Sequence, residues 1–309
     1  MTRTILVGYD GSDHGDDALA LGCLLAEIAG AELVVACAYP DDPLGESAAG
    51  IEVAEGIRAD AQARLERARG WLGDEPGAPA ARAQLRAVAG ASPRHVLHDL
   101  AHELGAEAIV VGATHHGRAL RLLTGSTPEA VLDHAPCAVA VAPDGFRHAH
   151  ARSVRQVALA FDGSSEAQHA LPLAADYARR AGARLRLVTA VNSAAAGVYP
   201  PPPLDVAAYE ELGEIARGTA RERLDDAIAT LVGGEGLAVE GAVLDGDIVG
   251  SLLEDAKSDD LLFTGSRAQG PFRRVLVGSI STHLLRDAPC PVVIVPRGDG
   301  AGGESPPDA

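Results

Sequence analysis

Lysine occurs once in this sequence, at position 257, where it follows an alanine. A phosphate-binding P-loop needs lysine directly after glycine, so that class of nucleotide hydrolase is excluded. Aromatic residues supply only 3% of the chain, too few for the stacking platforms of single-strand nucleic-acid binders. Cysteine is as sparse: Cys23, Cys37, Cys137 and Cys290 stand far apart without a C-x2-C pair. That spacing gives neither a zinc site nor a disulfide framework and fits a reducing compartment. Positive charge is also short, with 26 Lys+Arg against 43 Asp+Glu and a formal charge of −17. Such a field repels phosphate backbones and anionic membranes, so neither nucleic acid nor membrane is expected as a partner. No apolar run reaches the roughly 18 residues of a membrane span. The first residues also lack the apolar stretch of a signal peptide, and a cytoplasmic location is expected.

What is present is length and repetition. The chain has 309 residues, enough for two domains at roughly 100–200 residues each. Ile5-Leu6-Val7-Gly8-Tyr9-Asp10-Gly11-Ser12 returns as Val157-Ala158-Leu159-Ala160-Phe161-Asp162-Gly163-Ser164, 152 positions later. Ile109-Val110-Val111-Gly112 is answered by Leu262-Phe263-Thr264-Gly265, and Ala135-Pro136-Cys137 by Ala288-Pro289-Cys290, both 153 positions later. Three motifs recurring in one order mark a duplicated domain. The expected division is domain 1 over 1–145, a linker over 146–152, domain 2 over 153–297 and a disordered Gly/Pro/Asp-rich tail over 298–309.

Within each half, short β-branched apolar runs without alternation read as strands covered on both faces. Helical stretches lie between them: Asp16–Ala29, Glu52–Leu72 and Pro93–Leu104, answered by Glu166–Ala181, Tyr209–Val232 and Ile248–Ala256. The alternation predicts an α/β fold with two tandem Rossmann-like domains, each a five-stranded parallel sheet with helices on both faces. Ligands of such sheets bind beyond the carboxyl ends of strands near the point where strand order reverses. That rule singles out Asp10 and Gly11, Ala38, Gly90 and Gly112, with Asp162, Gly163, Ala190 and Gly265 as the mirror positions.

After the fourth strand of each half comes a glycine loop. Gly112 is followed by Gly117 and then by Gly125-Ser126; Gly265 is followed by Arg267, Gly270 and then Gly278-Ser279. Each Gly-Ser stands where a helix should start, with Pro128 and Glu129 in the first turn of one, and a helix N-terminus is suited to an anion. Both halves resemble the universal stress protein family, over about 290 residues, and the chain resembles a tandem member. The family's pattern is G-x2-G-x9-G-[ST] after a strand, with an Asp closing the first strand. This chain departs from it at the second glycine, where His115 and Ala268 stand.

The resemblance implies a stress-response regulator binding ATP or another adenine nucleotide, with or without Mg²⁺, more readily in domain 2. Asp162 and Asp10 would lie near ribose and adenine, and Gly265, Gly278 and Ser279, with Gly112, Gly125 and Ser126, would hold the phosphates. It also implies two domains around a pseudo-twofold axis where the last strands meet, and a homodimer as a further assembly. The alternative is a nucleotide-free interaction module of the same fold; a slow hydrolase is a third reading, on analogy alone.

Other features read as structural. His95, His98 and His102 fall on one helical face, a zinc pattern that a packed face explains as well. His115 and His116 are solvated or donate to phosphate, Pro200–Pro203 stiffen a loop, and Asp247 caps a helix rather than binding calcium. Cys137 and Cys290 read as small buried thiols.

Overall fold

The computed structural model describes residues 3–41, 48–74, 83–113, 127–148, 153–192, 206–231, 236–266 and 279–296. His115, Gly117, Gly125, Ser126, Arg267, Ala268, Gly270, Gly278, Pro200–Pro203 and the tail lie outside these residues.

The first half runs β1 (Thr4–Gly8), α1 (Asp13–Ala29), β2 (Glu32–Pro40), α2 (Ala48–Asp74), β3 (Gln84–Gly90), α3 (Pro93–Leu104), β4 (Ala108–Gly112), α4 (Thr127–Leu132) and β5 (Ala138–Ala142). The second repeats it as β6 (Gln156–Ala160), α5 (Ser165–Ala181), β7 (Arg184–Val191), α6 (Val206–Leu231), β8 (Val239–Asp245), α7 (Ile248–Asp255), β9 (Leu261–Gly265), α8 (Ser279–Asp287) and β10 (Val292–Val295). Helix α1 starts three residues before the expected Asp16 because Ser12 caps it, its hydroxyl accepting from Gly15 N at 3.1 Å. Ser164 does the same for α5 through Ala167 N at 3.2 Å. Gly30 and Gly182 close these helices with φ of 62° and 64°, a left-handed conformation that favours glycine.

All five strands of each half are parallel, in the order β3-β2-β1-β4-β5 and its counterpart β8-β7-β6-β9-β10. Side chains alternate across the sheet: Ile5 and Val7 enter the core under α1 and α2, while Leu6 enters the core under α3 and α4. Burial on both faces accounts for the continuous apolar runs. Each of the two cores extends through both halves, because β5 and β10 pair antiparallel, Val141 opposite Val292 and Val139 opposite Ile294. The two parallel sheets are therefore one ten-stranded mixed sheet, and each half covers an edge strand of the other.

Helix α5 reinforces this seam. Arg3 Nη1 donates to Asp176 at 2.6 Å and lies 3.0 Å from Glu107, while the Tyr177 hydroxyl donates to Glu107 at 2.8 Å. The residues after β5 are also fixed. Asp17, fully buried in α1, accepts from Gly145 N and Arg147 N, each at 2.9 Å, and from Arg147 Nη1 at 3.2 Å. Phe146–His148 form a short 3-10 turn there, so the connection leaves the first half in a set direction.

Candidate functional site

Strand order reverses between β1 and β4, and again between β6 and β9. A cleft opens at the carboxyl ends of the strands at both places, on the α3 and α7 side of the sheet. The first is lined by Gly8, Tyr9, Asp10, Ala36, Ala38, Val111 and Gly112, with Pro93 and Leu97 closing one wall. The second is lined by Ala160, Phe161, Asp162, Val188, Ala190, Thr264 and Gly265, with Ile248 and Leu252 in the same wall. The second has a volume of about 210 Å³, smaller than the roughly 300–1,000 Å³ of drug-sized ligand sites, and the first about 130 Å³. Small residues at the ends of β2 and β7 keep both clefts open. Of the expected residues, Asp10, Ala38 and Gly112 thus meet in one cleft, and Asp162, Ala190 and Gly265 in the other.

The Asp-Gly-Ser turns shape one rim. Asp10 Oδ1 accepts from Ser12 N at 2.9 Å and from Ser12 Oγ at 2.6 Å; Asp162 Oδ1 accepts from Ser164 N at 2.9 Å. Gly11 and Gly163 take φ of 75° and 79°, which lets the chain turn from strand to helix in so few residues. Both aspartates remain exposed at the rim. Gly112 and Gly265 have a packing role as well. A side chain at Gly112 would collide with the His14 carbonyl, and one at Gly265 with the Glu166 carbonyl, so these glycines let the first turns of α1 and α5 lie against the sheet. Ser279 heads α8 as expected.

The sequence reading missed several groups around these turns. Arg64 and Arg67 of α2 pack over Gly11, and Arg223 of α6 over Gly163, where Arg223 Nη1 donates to the Asp162 carbonyl at 3.2 Å. His14 lines the first cleft and Glu166 the second, giving the two halves different charge. Ser266, the first residue after β9, keeps a buried hydroxyl with no hydrogen-bond partner among the described residues; Ala113 stands in its place in the first half. Tyr9 ionises well above its usual range, first because it is buried and then because its hydroxyl donates to Asp16 at 2.9 Å.

Among the described residues one group, His14, Asp17 and Asp144, is close enough to share a metal ion. Both Asp17 oxygens, however, already accept hydrogen bonds from the segment after β5. His98 is likewise engaged: its Nε2 donates to the Val131 carbonyl at 2.6 Å, tying α3 to α4. Its burial lowers its pKa. Cys290 is buried and Cys137 partly so, and burial pushes both thiols up to about 12, which keeps them neutral.

The model of the universal stress protein family matches residues 1–143 and 153–296. A universal stress protein of Mycobacterium tuberculosis is 27% identical over 313 aligned positions, covering 95% of this chain and 99% of its own. The crystal structure of a universal stress protein from Archaeoglobus fulgidus covers 96% of this chain and 97% of its own at 21% identity, with a TM-score of 0.63. A functionally unknown protein from Pseudomonas aeruginosa has the same fold, 15% identical with a TM-score of 0.62 over 96% of this chain and 94% of that one. No described helix is long and apolar enough to cross a membrane. With the family's model matched twice along its length, this chain belongs to the universal stress protein family as a tandem two-domain member.

Proposed function

We propose that the chain is a stress-response regulator that binds adenine nucleotide, with the base in the cleft at each strand reversal and the second half the stronger site. The observation that carries this reading is the pair of matching clefts, each with apolar walls and an exposed aspartate at the rim. Apolar walls suit a purine, and a carboxylate at a strand end suits ribose hydroxyls, which it can accept from. The phosphates would extend over the loops that follow β4 and β9, with Gly125-Ser126 and Gly278-Ser279 at their far ends. The larger second cleft, about 210 Å³ against about 130 Å³ in the first, favours the second half. The four cysteines are free thiols, in keeping with action in the cytoplasm. On this reading the units are 1–145 and 153–297, joined by 146–152.

Equilibrium dialysis with ATP, AMP and GTP, with and without Mg²⁺, tests the proposal on the wild type and on Ala38→Trp and Ala190→Trp. Each tryptophan fills one cleft. The expected result is adenine-selective binding reduced at least tenfold in Ala190→Trp and to a lesser extent in Ala38→Trp. Absence of saturable binding at millimolar nucleotide would leave the chain as a nucleotide-free interaction module.

A further inference from the structure

Toward the amino ends of its strands the second half buries charge where the first half buries none. Arg186 of β7 is largely buried, and its Nη1 and Nη2 each donate to Asp255, at the end of α7, at 2.7 Å. The side chain of Asp259, buried just before β9, lies 4.0 Å from the same Nη1. The repeat identifies the three counterparts. Arg186 stands opposite Ala158 as Val34 stands opposite Leu6, and counting from the helix caps Asp247 and Ser92 sets Asp255 against Leu100. The bonds from Asp260 N to the Gln156 carbonyl and from Glu107 N to the Thr4 carbonyl set Asp259 against Ala106. Val34, Leu100 and Ala106 all belong to the apolar core. Such a core is generally at least as stable as a buried ionic triad, so stability alone does not account for the exchange.

The cluster is short of positive charge. Arg186 Nε also lies 3.6 Å from Glu240 of β8, so one guanidinium faces three carboxylates. Asp260 is engaged elsewhere, accepting from Arg155 N at 2.7 Å and Gln156 N at 2.9 Å. Lys257 pairs with Glu254 at the surface, and Cys290, which faces Asp259 from the segment before β10, is kept neutral by burial. Gln156 Nε2 donates to Asp259 Oδ1, while Oδ2 has no partner among the described residues. A protonated Asp259 makes no demand on Arg186. An ionised one is drawn to the nearest cation, which is the group that holds Asp255. Burial brings this ionisation up to about 6.

Asp255 lies one turn beyond Leu252 and two turns beyond Ile248 on the same eight-residue helix, and both of these residues wall the second cleft. We propose that Asp259 is a proton-operated latch on that cleft. With its proton on, Asp259 leaves Arg186 to Asp255 and α7 is held against the sheet. With its proton off, the carboxylate draws Arg186 away, and α7 loosens together with Ile248 and Leu252. The effect on α7 stands on the cluster itself; the effect on a ligand rests on the adenine-nucleotide reading. Nucleotide and proton then favour the same state, so each strengthens the binding of the other.

Amide hydrogen exchange of the full chain without nucleotide, at pH 5 and pH 7.5 and corrected for the intrinsic pH dependence of exchange, tests the latch. Protection of α7 should fall by about threefold or more at the higher pH in the wild type, and stay level in α3 and in the α7 of Asp259→Asn. The triple variant Arg186→Val, Asp255→Leu, Asp259→Ala copies the first half and should also stay level, which serves if Asp259→Asn does not fold. Equal α7 protection at the two pH values in the wild type, or the same loss in the variants, would overturn the latch whether or not nucleotide binds. Equilibrium dialysis with AMP in the Ala38→Trp background, which leaves the second cleft alone to bind, tests the link to the ligand. The phosphate of AMP titrates in the same range, so the readout is the comparison with Asp259→Asn. Affinity should fall about threefold more from pH 5 to pH 7.5 with Asp259 than with asparagine. Equal falls, with α7 loosening all the same, would overturn the link between latch and cleft.

Discussion

Asp259 should make the stability of the second half fall as pH rises through 6. Its side chain is 1% exposed just before β9; Oδ1 accepts from Gln156 Nε2 at 2.7 Å, and Oδ2 has no partner among the described residues. Burial dominates and pushes this carboxyl up from 3.8 to about 6, with Asp255 and Asp260 adding to the rise and the Gln156 hydrogen bond and Arg186, 4.0 Å away, opposing it. The folded-state value lies above the unfolded one, so the group's contribution is fully present below about pH 4 and is lost as pH rises through about 6. The whole difference is about 3 kcal/mol at 1.36 kcal/mol per unit, and about 1.4 kcal/mol of it falls between pH 5 and pH 7.5. Asp259→Asn keeps the acceptor for Gln156 and does not titrate. Thermal unfolding of both proteins at the two pH values should show the wild type losing about 2–4 °C relative to the variant on going to pH 7.5. Parallel pH profiles would refute the reasoning, since they would mean that Asp259 ionises as an exposed carboxyl does.

Asp17→Ala removes the acceptor that holds Gly145 and Arg147, and leaves the Arg147 guanidinium without its buried partner. The loss should be about 3–5 kcal/mol, with faster proteolytic cleavage around 144–152. Gly112→Ala and Gly265→Ala drive a methyl group into a helix carbonyl, and should each lower stability by about 1–3 kcal/mol. Chemical denaturation followed by circular dichroism checks this, and unchanged midpoints would mean that these glycines serve the ligand alone.

The fold was legible because it is written twice. The Asp-Gly-Ser turns, the paired Ala-Pro-Cys segments and the apolar runs mark ten strands, parallel within each half, from local pattern. The joining of β5 to β10 had no such signal and was expected from family resemblance only, since an edge strand and a central strand buried on both faces read alike. For the site, the strand-end rule found Asp10, Ala38, Gly112 and their mirrors because strand ends are visible in sequence. It did not find Arg67 or Arg223, which reach the turns from helices more than fifty residues away along the chain, a placement set by packing. Gly112 and Gly265 read as phosphate glycines, while their contact with a helix carbonyl is a tertiary fact that spacing does not carry.

The measurement that bears most directly on the account is the number of adenine nucleotides held per chain, counted by acid extraction of freshly purified protein and again after dialysis against millimolar ATP and Mg²⁺. The account predicts at least one after dialysis, lost in Ala190→Trp, and two when the first cleft also fills. A count near zero in both samples, with Ala190→Trp no different from wild type, would contradict it.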